Sequence, residues 1–333
     1  MSKRLEEIVA RYRDLEIDRQ IDYEKFYLYS LISHSTAIEG STITELENQI
    51  MFDSGVSIKG KSIEEQNMNL DLKLAYEKAI ELAETHAPIT VEALTMLSSL
   101  VMKNTGREYH TALGVFSSAR GELRLVNVTA GFGGRSYMNY SKVPSKLEEF
   151  CRQLNDTRGK AQRMSMDELY QMSFDAHYNL VTIHPWADGN GRMARLVMNM
   201  LQFEFGLIPS KVIKDDKEEY IKALVATREN DDIDIFRAFM TAMMERNLSA
   251  EIELYLSSTG ETDIEENKEE VMTIKSRDRI IALLRDNGKL SAKSLGEQIG
   301  ITSKAVEKHL SKLKADGIIE RIGPAKGGHW KVL

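Results

Sequence analysis

The stretch HPWADGNGRMAR, residues 184–195, combines a base, a carboxylate, two glycines and two arginines between two helical patterns. The capping box Ser165-x-x-Glu168 opens the first predicted helix, over 166–183. Apolar side chains recur at helical spacing after the stretch, over 193–205. The pattern predicts a helix-loop-helix in which the loop leads directly into a helix N-terminus.

Each part of this loop suits the binding of a phosphate chain. The first turn of a helix presents unpaired N–H groups and the positive end of its dipole to an anion. Gly189 and Gly191 permit backbone angles that turn N–H groups inward. Arg192 and Arg195 are three residues apart, so both side chains emerge from one helix face and can clamp phosphate oxygens.

The same loop carries a metal ligand and a base. Asp188 is a hard oxygen ligand of the kind that Mg²⁺ prefers. His184 has a side chain that titrates near neutrality, so it can accept a proton from an attacking hydroxyl. A His-Pro turn or a glycine loop alone has an ordinary structural explanation. The joint pattern predicts a site that holds a nucleotide with one metal ion.

The stretch resembles the signature of the Fic family, His-Pro-Phe-x-Asp/Glu-Gly-Asn-Gly-Arg-x-x-Arg. Eight of the nine fixed positions match, and the exception is Trp186, where the family usually has phenylalanine. A larger aromatic side chain there should disturb packing more than chemistry. The resemblance implies a mainly α fold, a Fic-type helical bundle with a β-hairpin flap. It also implies a protein adenylyltransferase, a nucleotidyltransferase that moves AMP from ATP to a Ser, Thr or Tyr hydroxyl of a protein.

The resemblance assigns a role to each residue of this signature loop. It makes His184 the general base and Asp188 the ligand of Mg²⁺ on the α- and β-phosphates of ATP. Arg192 would face the β-phosphate and Arg195 the γ-phosphate. The anion hole would be formed by Gly189, Asn190 and Gly191.

A second segment, STAIEG at residues 35–40, resembles the inhibitory motif of self-inhibited Fic proteins. It is also an ordinary helix C-terminus, because the preceding run is helical and Gly40 is a common helix stop. Both interpretations can hold together. The resemblance implies that Ser35, Glu39 and Gly40 form the motif, and that Glu39 pairs with Arg195 and denies it to the γ-phosphate.

Residues 124–140 predict a hairpin, because the β-prone segments 125–129 and 137–140 flank a glycine-rich turn. In the family a hairpin here, the flap, holds the target segment in extended form by backbone pairing. A plain structural hairpin is the alternative. Further along, Tyr220 resembles the segment that borders the adenine, whereas Arg228 stands where some relatives carry asparagine.

The composition favours a soluble intracellular protein of two or more domains. The chain has 333 residues, 42% of them hydrophobic, and no uninterrupted apolar run approaches the length of a membrane span. The N-terminus is charged and lacks an apolar signal-peptide core. The single cysteine, Cys151, excludes an internal disulfide framework and fits a reducing compartment. We therefore expect a cytoplasmic location and no membrane partner.

The charge of the chain changes sign near its end. Residues 257–270 are small, polar and acidic, which indicates a linker. Residues 271–333 carry 13 Lys and Arg against 6 Asp and Glu, a net charge of +7, although the whole chain has −7. The order of elements resembles a winged helix-turn-helix. Its helices are predicted at 274–286, 292–299 and 303–315, and its hairpin strands at 318–322 and 329–333.

The helix over 303–315 stands in the position of a recognition helix. Its lysines, together with one on the wing tip, predict contacts to the phosphates of DNA. These candidate contacts are Lys304, Lys308, Lys312 and Lys326. Winged helices also serve as protein-docking or dimerisation units, and this helix lacks arginine, the commonest specific reader of bases. A homodimer is compatible with that second interpretation.

The predicted organisation has four parts. An N-terminal helical region, 1–110, contains the inhibitory motif, and a Fic core, 111–256, contains the flap and the signature loop. The linker, 257–270, and the winged helix, 271–333, follow.

Other functions stay open at this stage. One is removal of AMP from a protein, with Glu39 aligning a water. Another is a DNA-binding regulator whose Fic domain senses a nucleotide, and the intact His184 argues against it. Some relatives transfer phosphocholine or phosphate, but phosphate-transferring relatives usually vary the glycine loop. This chain keeps Gly-Asn-Gly, so AMP is favoured.

Overall fold

The computed structural model describes residues 3–129, 136–259, 279–285, 287–299, 302–315, 317–323 and 328–332. The chain divides into two compact units, Met1–Tyr255 and Leu256–Leu333. Ten helices are described up to residue 259, and the mainly α prediction is confirmed. They are α1 Lys3–Asp14, α2 Tyr23–Ile38, α3 Glu45–Ser54, α4 Ile63–Glu84, α5 Val91–Val101, α6 Val143–Arg158, α7 Met166–Ile183, α8 Asn190–Glu204, α9 Lys217–Asn230 and α10 Ile233–Thr259.

Helix α8 forms the centre of the first unit. Helices α4, α5 and α7 pack against it, and its middle is buried on every side, with Leu196, Val197, Met198 and Leu201 at 0% exposure. A helix that is buried all round has its axis fixed by its neighbours. The N-terminus of α8, which carries the signature loop, is therefore held in a rigid position.

Local sequence signals set the helix starts. In α7 the Ser165 side chain accepts a hydrogen bond from the N–H of Glu168, and the Glu168 carboxylate caps Ser165 in return. Helix α8 starts at Asn190, three residues before the predicted start. The left-handed conformation of Gly189, with φ +80°, turns the chain into the helix at that point.

The first unit differs from the prediction in two hairpins, one that was not predicted and one that has fewer strand pairs than expected among the described residues. Strands β1 Glu108–Thr111 and β2 Gly114–Ser117 form an antiparallel pair that was not predicted from the sequence. In the predicted flap, the described residues form one bridge, Thr129 with Ser136, instead of a ladder. A side chain also binds the backbone on both sides of the flap, because Arg124 donates to the carbonyls of Val126 and Met138. Residues 130–135 lie outside the described residues.

The second unit has the predicted winged-helix elements. Residues 279–285 are helical and form α11, followed by α12 Ala292–Ile299, α13 Ser303–Ala315, and the antiparallel strands β3 Ile319–Ile322 and β4 His329–Val332. Their buried core consists of Ile280, Leu284, Leu295, Val306, Leu310, Leu313 and Ile319.

A close backbone approach holds the turn after α11 against β4. The Trp330 N–H donates to the Gly288 carbonyl at 2.7 Å, and a Cβ on Gly288 would lie 2.1 Å from the Trp330 carbonyl oxygen. Only glycine fits there. The predicted residues 274–278 and Lys326 lie outside the described part of the chain.

None of the helices that the structure describes is long and apolar enough to traverse a lipid bilayer.

Candidate active site

His184 ends helix α7 in a left-handed conformation, with φ 53° and ψ 62°. Its backbone N–H donates to the Leu180 carbonyl at 3.0 Å. Its ring Nδ1 lies 3.2 Å from the Val181 carbonyl oxygen. Because a carbonyl can only accept, this contact puts the ring proton on Nδ1 and leaves the lone pair on Nε2. The imidazole is thus arranged to accept a proton through Nε2.

Reciprocal hydrogen bonds brace the signature loop. The Asn190 amide donates to the Trp186 carbonyl at 2.9 Å, and its oxygen accepts from the Trp186 N–H at 3.1 Å. The indole of Trp186 is fully buried and donates to the Gly121 carbonyl at 2.9 Å. The indole N–H therefore has a partner, so tryptophan fits this position without leaving a buried donor unpaired.

The Glu39 carboxylate lies over the first turn of α8. A Cβ placed on Gly191 would be 2.8 Å from Glu39 Oε1, so glycine leaves the space that this oxygen occupies. Glu39 stands at the C-terminal cap of α2, where the helix dipole disfavours a negative charge. The positive N-terminus of α8 favours the same charge. The Glu39 carboxylate therefore occupies the place in which a phosphate group is predicted to bind.

Arg195 joins the two segments predicted from the sequence. Its Nη2 lies 2.6 Å from Glu39 Oε1 and 3.0 Å from the Ser35 carbonyl, and its Nε donates to the Ser35 hydroxyl at 2.8 Å. The Arg195 side chain is 3% exposed, whereas the Glu39 side chain is 35% exposed. The structure thus brings Ser35 and Glu39 to the second signature arginine.

The pair is charged at neutral pH. Burial by itself would raise the pKa of Glu39, but the positive charges of Arg195 and Arg192 outweigh it and hold the pKa below its ordinary value. Burial by itself would lower the pKa of Arg195, and the Glu39 charge reverses that effect. The two side chains therefore form an ion pair with a charge-assisted hydrogen bond.

Arg192 is less completely paired than Arg195. Its side chain is 4% exposed, with Nη1 3.3 Å from the Val101 carbonyl and Nη2 3.1 Å from the Met102 sulfur. Asp188 Oδ1 lies 3.8 Å away, and Arg192 Nε has no hydrogen-bond partner among the described residues. A buried guanidinium with a free donor is a favourable site for a further anion.

Asp188 supplies one carboxylate at the mouth of the loop. Its side chain is 60% exposed, and Oδ1 accepts the Gly189 N–H at 2.6 Å. Within the described ranges, no three His, Cys, Asp or Glu side chains converge on one point. A single carboxylate fits Mg²⁺, which takes one or two carboxylates and completes its shell with phosphates and waters.

Two residues that the sequence analysis did not assign to the site surround His184. The Tyr137 ring stacks on the imidazole with ring centroids 3.7 Å apart and an interplanar angle of 18°. Arg124 Nε donates to the His184 carbonyl at 2.7 Å. Burial is the main cause that lowers the pKa of His184 to about 4, and the Arg124 charge adds to it. Both residues belong to the predicted flap, but no spacing signal ties them to a histidine far along the chain.

Comparison with known proteins finds one family match within each unit. Residues 88–202 match the model of the Fic/DOC family, and residues 276–320 match a winged helix-turn-helix DNA-binding model. The chain carries a Fic domain. The Fic-type fold and the winged helix expected from the sequence are confirmed.

Relatives of the Fic domain are named protein adenylyltransferases. One from Caenorhabditis briggsae is 29% identical over 208 residues, 62% of this chain and 37% of the relative. One from Drosophila erecta is 30% identical over 234 residues, 69% of this chain and 42% of the relative. The chain therefore spans about two fifths of the length of these relatives.

Solved structures share the fold. Fic-1 from Caenorhabditis elegans, residues 134–508, has a TM-score of 0.57 at 22% identity, over 75% of this chain and 71% of that chain. A Fic family protein from Desulfovibrio desulfuricans G20 has a TM-score of 0.59 at 20% identity, over 99% of this chain and 94% of that chain.

Tyr220 lies in the core of the first unit. It is 2% exposed, its hydroxyl is 2.9 Å from His177 Nε2, and its ring packs against those of Phe236 and Phe239. Arg228 places its guanidinium carbon 5.8 Å from the centre of the Tyr137 ring, on the flap side of the site. The adenine contact of Tyr220 stays a prediction.

The second unit presents a row of lysines. Lys304, Lys308 and Lys312 are exposed on α13 and follow one another at intervals of four residues, so they share one face of the helix. Lys326, the fourth predicted contact, lies outside the described residues.

Proposed function

We propose that this chain is a protein adenylyltransferase that transfers AMP from ATP to a Ser, Thr or Tyr hydroxyl of a protein. The observation that carries the proposal is the orientation of His184 beside the N-terminus of α8. Its Nδ1 is bound to the Val181 carbonyl, so Nε2 is free to accept a proton. The adenylyltransferase names of the relatives support the same chemistry.

The mechanism is in-line displacement at the α-phosphorus of ATP. The target hydroxyl oxygen attacks the phosphorus, and its proton moves to His184 Nε2. The bond from the α-phosphorus to the bridging oxygen breaks, and pyrophosphate leaves with that oxygen. The N–H groups in the first turn of α8 bind the α-phosphate, and Arg192 and Arg195 bind the β- and γ-phosphates.

Asp188 would hold Mg²⁺ together with the phosphates of ATP. The ion, when bound, neutralises negative charge on the phosphates and on the leaving pyrophosphate. The exposed position of Asp188, directly before Gly189 at the N-cap of α8, suits this role.

We further propose that Glu39 inhibits the enzyme. In the conformation described, the carboxylate occupies the space over Gly191 and binds the guanidinium that the γ-phosphate needs. ATP would then bind with its γ-phosphate displaced, and the α-phosphorus would not align with an attacking hydroxyl. Removal of AMP from a protein would use the same site, with Glu39 aligning a water.

The proposed reaction is tested with labelled ATP. Purified Glu39→Gly protein is incubated with α-labelled or γ-labelled ATP and Mg²⁺, with and without a cell lysate. We expect label on protein from the α-position alone, and none with the added change His184→Ala. Retention of the γ-label would indicate kinase chemistry, and no retained label of either kind would reject the proposal.

We also propose that the second unit binds DNA through α13. The three exposed lysines can neutralise phosphates on one face of the helix, and release of counterions then makes affinity salt-dependent. Changing Lys304, Lys308 and Lys312 to alanine should reduce the slope of log affinity against log salt by about 3. Self-association that is insensitive to salt, without DNA binding, would favour a docking unit instead.

A further inference from the structure

Arg124 is a buried cation that has no acidic partner among the described residues. It is 1% exposed, and no carboxylate in the described part of the chain forms an ion pair with it. Burial lowers the pKa of Arg124 below its ordinary value. Burying a charge costs free energy unless hydrogen bonds compensate for the lost water. The contacts that compensate here therefore indicate what the residue does.

All the hydrogen bonds that Arg124 donates in the described part of the chain go to backbone carbonyls. Nε donates to the His184 carbonyl at 2.7 Å and Nη1 to the Val126 carbonyl at 2.7 Å, while Nη2 donates to the Met138 carbonyl. Its own backbone N–H donates to the Pro185 carbonyl at 3.0 Å. One residue thus binds two consecutive carbonyls of the signature loop and one carbonyl on each side of the flap.

These contacts fix two segments that meet at the imidazole. The left-handed backbone conformation of His184 is unfavourable for a residue with a Cβ. Arg124 binds the carbonyl oxygen of this same residue. Met138 adjoins Tyr137, whose ring lies on the imidazole. The planar guanidinium fork sets the distance between the carbonyls that it binds, which a single ammonium cannot do. The Arg124 side chain therefore contacts both the backbone of His184 and the segment that carries the stacked Tyr137 ring.

We propose that Arg124 is a positioning residue that joins the flap to His184 and so sets the orientation of the imidazole beneath Tyr137. The proposal rests on the proposed function, because it takes His184 as the base and the flap as the site where the target lies. A target segment that pairs with the flap then acts on the same backbone that orients the base. The charges that face His184 are those of Arg124 and Glu39.

An ordinary core role would give a different result. If Arg124 only filled space between the flap and the loop, its replacement would lower stability and leave the geometry of the imidazole unchanged in the folded protein. Arg124→Lys is the informative variant, because it keeps the positive charge and loses the fork. Arg124→Met removes both. Arg120→Met is the matched control, since Arg120 is exposed and pairs with Glu122.

The first measurement needs no nucleotide. The ring protons of His184, assigned with His184→Gln, are observed by NMR in the full-length protein. The stacked Tyr137 ring should shift them upfield and give cross-relaxation peaks between the two rings. We expect the shift and the peaks to be lost in Arg124→Lys and kept in Arg120→Met. A folded Arg124→Lys protein with an unchanged stack would overturn the proposal, and this variant decides the matter even if Arg124→Met does not fold.

The second measurement uses Glu39→Gly protein and α-labelled ATP. Adding Arg124→Lys should lower the transfer rate by about 10- to 100-fold, as expected when a base is misplaced. The apparent affinity for ATP should stay within about twofold, because no phosphate contact is assigned to Arg124. Equal rates with and without Arg124→Lys would contradict the proposal. If Glu39→Gly itself transfers no AMP, the proposed function fails, and the NMR result still decides the positioning role.

Discussion

Glu39 and Arg195 meet at 2.6 Å across the first turn of α8. The contact joins the C-cap residue of α2 to the side of α8, and it lies where a phosphate oxygen would be favoured. Ser35, one turn before Glu39, binds the same guanidinium through its hydroxyl and its carbonyl. The segment 35–40 and α8 are thus joined through one guanidinium.

Removing Glu39 should activate transfer. A hydrogen bond between charged groups contributes about 1.5–3 kcal/mol, and the 35% exposure of the Glu39 side chain places this pair near the lower end. Because 1.4 kcal/mol corresponds to a factor of ten, Glu39→Gly should raise labelling from α-labelled ATP by about tenfold. Glu39→Gln, which keeps the size and loses the charge, should give a smaller rise.

The partner of Glu39 is tested by a double variant. Arg195→Ala should stay silent even when Glu39→Gly is present, because the clamp on the γ-phosphate is then missing. Equal labelling by the unaltered protein and by Glu39→Gly would show that residues 35–40 are an ordinary helix C-terminus without an inhibitory role.

Replacing the proposed base and replacing the proposed metal ligand should have different effects on the affinity for Mg²⁺-ATP. His184→Ala should leave the affinity for Mg²⁺-ATP largely unchanged and abolish transfer, because the imidazole handles only the proton. Asp188→Ala should weaken Mg²⁺-ATP binding as well, because a ligand of the metal is lost. Calorimetry and labelling in the Glu39→Gly background measure the two effects. Unchanged ATP affinity in Asp188→Ala together with rapid transfer by His184→Ala would show the roles to be wrong.

Deleting residues 271–333 should leave an active Fic domain. The compact first unit ends at Tyr255, before the deleted segment, so its core should not depend on the winged helix. The protein 1–270 should unfold in one cooperative transition and keep α-label transfer in the Glu39→Gly background, whereas any DNA binding should vanish. A broad, non-cooperative thermal transition of 1–270 would count against this boundary.

Stability should fall between pH 7 and pH 5 because of His177. Burial is the main cause that lowers the pKa of His177 to about 3, so the folded protein keeps this ring neutral. Below pH 6.5 the unfolded chain binds a proton there and the folded chain does not, so the free energy of unfolding decreases as the pH falls. The contribution is about 1.4 kcal/mol per pH unit well below 6.5.

Urea titrations at several pH values measure this slope. His177→Gln should flatten it by the stated amount. An equal slope in His177→Gln and the unaltered protein would show that the folded state tolerates a charged ring at this position.

The sequence determined the helices and the composition of the site. Helix α7 spans the predicted residues, 166–183, and α12 and α13 do the same at 292–299 and 303–315. Capping boxes, apolar periodicity and turn residues act over a few neighbours, so they can be found in the sequence. The signature loop is contiguous, so its histidine, carboxylate, glycines and arginines were found together.

Only the tertiary structure decided how the flap meets His184. At Arg195 the family resemblance implied the pairing with Glu39, and the structure gave its geometry. No local pattern places the Glu39 carboxylate over Gly191, or the Tyr137 ring on the imidazole. The contacts of Arg124 could not be predicted from the sequence for a more general reason. Its partners are backbone carbonyls, which every residue has, so the sequence carries no sign of which ones a buried guanidinium will bind. The packing of the flap against the signature loop makes that choice.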